Sequence, residues 1–149
     1  MARSLKSRMQ AIDVIIDGSK VASTNIKKSR LDTEFMELMR SSRAQGPRRD
    51  LLLVLHTSRM LDSFLVYFIE HHSVPSGGRT MGSYLFDLRD HQRAGLATLG
   101  EGRRHHHQTH VVDVRNQFMH QAGVFPSRRQ ADELLSSMHV CLSEVASLA

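Results

Sequence analysis

The sequence predicts an all-α protein, an antiparallel helical bundle of four to five helices. Apolar residues recur at three- and four-residue spacing along most of the chain, and no segment alternates with period two over strand length. Eight Met, no Trp and only two Tyr suit packed helices better than a sheet. One domain is expected over residues 1–149, large enough for a hydrophobic core, with residues 1–29 as an N-terminal helix and connector and 30–149 as the core bundle.

Leu5, Met9, Ile12 and Ile16 form the first apolar stripe, and Asp17-Gly18-Ser19 stops it. Residues 19–29, rich in Ser, Lys, Thr and Asn, read as a connector. A second helix is expected over residues 30–43, with Leu31, Phe35, Leu38 and Met39 facing inward, and Gln45-Gly46-Pro47 breaks it. The third and longest covers residues 49–72, and its apolar clusters make it the centre of the bundle. His56, Arg59 and Asp62 interrupt that greasy run and argue against a membrane span. After the loop Ser73-Val74-Pro75-Ser76-Gly77-Gly78, a fourth helix carries Met81, Leu85 and Leu88 and continues weakly to Leu99. A fifth is expected over residues 104–121, with Val111, Val114, Phe118 and Ala122 on one stripe. The last is the best signalled. Ser127 and Gln130 make a capping box after Pro126, and Ala131, Leu134, Leu135, Met138, Leu142, Val145 and Leu148 hold one face.

Twenty basic against fifteen acidic residues give a net charge of +5, and ten His can add to it at lower pH. Such a chain attracts polyanions, RNA and DNA first. The single cysteine, Cys141, excludes an intramolecular disulfide and points to a reducing compartment. No unbroken apolar run of signal-peptide length follows the N-terminus. A cytoplasmic protein is expected.

The densest chemistry lies in Arg115-Asn116-Gln117-Phe118-Met119-His120. A cation, an amide and an imidazole sit on one short helix that Gly123 and Pro126 bring to an end near the histidine. This stretch resembles the R-x4–6-H motif of HEPN domains, in the form with a polar residue directly after the arginine. Arg49–His56, Arg103–His110 and Arg104–His110 also fit the bare spacing. Only Arg115–His120 combines the following Asn, a helical setting and a well-capped helix behind it.

The resemblance implies a small all-α bundle acting as a metal-independent endoribonuclease, often a toxin or a component of antiviral defence. It also implies a homodimer whose two motif helices line one cleft. Arg115 and His120 would be catalytic and Asn116 supporting, with no metal and no cofactor. The dimer fits the helix geometry. Arg115 and His120 are five residues apart, about 140° around an ideal helix and about 7.5 Å along it. Convergence then needs a wrapped arginine, a distorted helix or a second copy. In toxin members a tyrosine two residues after the motif histidine is modified by an antitoxin. Here that position is Ala122, so a cognate antitoxin or other regulatory partner would have to act by another route.

Arg103, Arg104 and His110 form a basic rim placed to meet RNA phosphates, and Arg48-Arg49 and Arg128-Arg129 extend it. His106 and His110 have the i, i+4 spacing of metal ligands, but no Cys or carboxylate accompanies them at ligand spacing. Tyr67 and Tyr84 are expected in the core. The competing reading is a non-catalytic helical interaction or nucleotide-binding module of a larger complex. A bundle that binds metal through its histidines is a weaker one.

Overall fold

The computed structural model describes residues 4–149. Among these, every regular element is helical. Ser4 caps α1 (Leu5–Ser19) by accepting from the Ser7 N–H at 3.2 Å, and Lys20 closes it in the left-handed conformation. α2 (Asn25–Ser42) starts a turn earlier than expected, at Asn25 rather than Arg30. Thr24 caps it, and Lys27 reaches Glu70 of the next helix at 2.7 Å while lying over the Tyr67 ring. That first turn has no apolar stripe to betray it, because a cap and an ion pair hold it instead.

α3 (Gly46–His71) is the axis of the molecule, and it begins on the very residues expected to act as a breaker. Gly46 takes a φ of 73°, and Pro47 needs no N–H partner in a first turn. Phe64, Phe68, Leu61 and Leu65 are fully buried. By length and composition α3 is apolar enough to cross a membrane, yet most of its apolar stretch is buried inside the bundle.

α4 (Met81–Leu88) opens on a Thr80/Ser83 capping box and stops at Leu88 without continuing to Leu99. Residues 89–100 fold back instead, with Leu99 N–H bonded to Leu88 O and Gly100 N–H to Arg89 O, both at 2.9 Å. Leu96 and Leu99 are thereby buried without a helix. α5 (Glu101–His107), a π turn (Gln108–Val112) and α6 (Asp113–Met119) then run on as one rod. α7 (Arg128–Ala146) starts on the Ser127/Gln130 capping box that its sequence announces, and its seven buried residues include all the expected ones through Val145.

Among the described residues the bundle thus has six helical rods rather than four to five. α3 packs chiefly against α2 and α7, and α1 covers another side of α7. Met9, Ile12 and Ile16 of α1 join the same core as Phe64 and Leu135, so the N-terminal helix is part of the bundle. α2 runs against α3, as Lys27–Glu70 and Glu34–Arg59 require. α5 lies beside the last turn of α7, where Arg103 and His107 both meet Glu144. α3 and α7 break the antiparallel rule, because Arg49–Asp132 joins their first turns. Two long helices therefore begin at the same end of the molecule.

Candidate functional site

The π turn sits immediately before the motif. It widens the helix by one residue, which lets the neighbours Val111 and Val112 both bury their side chains. It also resets the phase of everything after it. Val114 is only partly buried, Phe118 is buried, and Ala122 lies beyond the helix in an exposed turn. Short π segments within α-helices mark functional sites often enough to draw the eye to this rod.

Arg115 and Asn116 are half-buried and directly joined, with Arg115 Nη1 donating to Asn116 Oδ1 at 2.9 Å. The Arg115 Nε is buried and has no acceptor among the described residues. Asp62, on α3, shares this environment. Burial pushes its carboxyl up, and the Arg115 charge pulls it back down without cancelling the rise. Tyr84 belongs to the same patch: burial and the Asp62 charge both push its hydroxyl up. Asp62 of α3 thus feels the Arg115 charge, and Tyr84 of α4 feels that of Asp62.

His120 is placed differently. It is the residue that closes α6, exposed at the surface, with its N–H bonded to Asn116 O at 3.1 Å. Its ring has no hydrogen bond or ion pair among the described residues. Gly123, with a φ of 76°, then turns the chain towards the buried Pro126 and the start of α7. The helix stays α-helical up to Met119, and the guanidinium bonds Asn116 rather than the imidazole. Arg115 and Asn116 are brought together within one chain. His120 stands apart on the same rod, its ring unengaged and open to solvent.

The basic rim is not a row of free cations. Arg103 grips Glu144 through Nε at 2.9 Å and through Nη2 at 2.5 Å, and Arg104 holds Glu101 at 3.1 and 2.5 Å. Phosphates would have to displace these carboxylates. His110 is exposed, with its ring 4.4 Å from that of His106, and no group of three or more potential metal ligands occurs among the described residues. Arg49 is not on the rim at all, being only 3% exposed. Tyr67 and Tyr84 are in the core, as expected.

Sequence reasoning read the run from Arg103 to His110 as a basic rim and did not pair His107 with Glu144. His107 is buried, with Nε2 2.6 Å from Glu144 Oε2 and Nδ1 without a partner among the described residues. Its burial marks the inner side of the His-rich run, whose polar neighbours disguise it as surface. Burial lowers the His107 pKa despite the opposing pull of Glu144. Burial also works against the Glu144 carboxylate, but bonds from Arg103 and His107 outweigh it and hold it below the ordinary range. Both shifts have the same sign for stability. The unfolded chain takes up the histidine proton first, from pH 6.5 downward, and the carboxylate proton later. Urea unfolding midpoints are therefore expected to fall between pH 7.5 and 5.5. His107→Gln, which keeps a donor for Glu144 but does not titrate, should flatten that slope. Parallel slopes for the two proteins would assign the pH dependence elsewhere.

No protein family, characterised protein or solved structure matches this chain.

Proposed function

We propose that the protein is a metal-independent endoribonuclease of the HEPN kind, acting as a homodimer in which two copies of the α6 end complete one cleft. The observation that carries this reading is the division of labour on one rod. A half-buried arginine with an unmet donor sits beside an amide, and an unencumbered histidine closes the same helix.

RNA brings its own nucleophile. The imidazole of His120 takes the proton from a 2′-hydroxyl, or gives one to the departing 5′-oxygen, the usual acid–base work of histidine near neutral pH. The 2′-oxygen forms a bond to phosphorus as the bond from phosphorus to the 5′-oxygen breaks. Arg115 offsets the charge that builds on the phosphoryl oxygens with fixed donors, and Asn116 keeps that guanidinium in register. The products are a 2′,3′-cyclic phosphate, or the 3′-phosphate after hydrolysis, and a 5′-hydroxyl. DNA lacks the nucleophile and is expected to resist. In the cell such an activity fits a toxin or defence component held in check by a regulatory partner.

The test is incubation of total RNA with the purified protein in EDTA, followed by end-group analysis. Fragments with cyclic-phosphate and 5′-hydroxyl ends, and none from DNA, are the expected result. Fragments with 5′-phosphates would overturn the reading in favour of a different cleavage chemistry, and intact RNA with folded dimeric protein would overturn it in favour of a binding module.

A further inference from the structure

We propose that the cleft where α3 and α7 begin is a phosphate-binding site, separate from the motif and independent of whether the chain cuts RNA. The cleft encloses about 440 Å³ and is walled by Arg43, Gly46, Arg49, Asp50 and Arg128 among others. Three cations thus face it, against one carboxylate that is already bonded to Arg49 at 2.8 Å.

The backbone contributes as well. α3 is 26 residues long and its N-cap, Gln45, supplies no side-chain cap. Its start therefore leaves the Gly46 amide without a side-chain cap and brings the positive end of the helix dipole to the cleft, although Pro47 adds no N–H. A Cβ at Gly46 would stand in open space, so the helix start is uncovered at that residue. Arg128 is the first residue of α7, which adds a second positive helix end at the same place.

Arg49 decides the matter. Its side chain is 3% exposed, yet it forms part of the cleft wall. Nη1 is engaged by Asp50 at 2.8 Å and by Asp132 at 3.1 Å. Nε is buried and has no acceptor among the described residues. A buried donor left unmet is costly, and a buried guanidinium with one side unsatisfied is matched by an oxyanion. Arg43 and Arg128, exposed and in no ion pair among the described residues, then close on the phosphoryl oxygens from either side. The volume exceeds a phosphate, leaving room for the sugar of a nucleotide or of an RNA strand.

The experiment is calorimetric titration of the full chain at constant ionic strength with inorganic phosphate, adenosine, adenosine 5′-monophosphate and an uncleavable deoxyoligonucleotide. Saturable binding of inorganic phosphate, and no binding of adenosine, is expected for the wild type. The Arg43→Ala/Arg128→Ala double variant should bind at least about tenfold more weakly while melting at the wild-type temperature, since both side chains are exposed. Displacement of phosphate by the monophosphate identifies a nucleotide as the source of the group, and displacement by the oligonucleotide identifies a strand. Either result supports the site. Absence of saturable phosphate binding, or unchanged affinity in the double variant, would overturn it. None of these readouts involves RNA cleavage, so failure here leaves the nuclease reading standing, and the reverse also holds.

Discussion

Replacing His120 with alanine is expected to slow RNA cleavage by about 10²–10⁴-fold, the range a positioned acid–base group supplies. The side chain is exposed and unbonded, so the melting temperature should not move. Arg115→Ala should cost about 10²–10³-fold through lost charge stabilisation. That variant also frees Asp62 from its cation, and the Asp62 carboxyl, already pushed up by burial, should rise further. Single-turnover cleavage of a short labelled RNA reads the first two effects. Wild-type rates from both variants would place the chemistry elsewhere.

Phe68→Ala is expected to have the largest effect on stability. Its ring is fully buried, 6.0 Å from Phe64 and 4.4 Å from His72 between ring centres, on the helix around which the bundle is built. Truncating such a ring removes its transfer energy and leaves a cavity, at a cost of about 3–5 kcal/mol. In a domain of this size the melting temperature should drop by roughly 6–20 °C. A drop of only one or two degrees would mean that α3 is not packed as described.

The helices with a continuous buried stripe were legible in the residues. α7 shows this best: Ser127, Gln130 and the apolar series from Ala131 to Val145 all have the local roles that their types and spacing announce. What misled was stabilisation that leaves no apolar period. The first turn of α2 rests on Thr24 and the Lys27–Glu70 pair, and Gly46-Pro47, a breaker by type, becomes a helix start once α3 packs beneath it. The segment around Leu96 and Leu99 buries apolar residues through backbone bonds to the end of α4 rather than through a helix.

The candidate site was legible in part for the same reason. Arg115, Asn116 and His120 are neighbours in sequence, so their placement on one rod followed from the spacing. Asp62 comes near Arg115 only because α3 packs against α6, and Tyr84 comes near Asp62 because α4 packs against α3. In the sequence Asp62 is merely a charge that interrupts an apolar run. The π turn hides in the same way, its one trace being the adjacent pair Val111-Val112, both of which are buried.

The central claim is that Arg115 of one copy and His120 of another make one RNA-cutting centre. Co-expression of Arg115→Ala and His120→Ala chains carrying different affinity tags tests it most directly. Each chain alone should be inactive. The purified mixed dimer holds one intact centre of two, so about half of the wild-type activity per dimer is predicted, since loss of either group costs 10²-fold or more. A mixed dimer as inactive as its parents would contradict the shared centre.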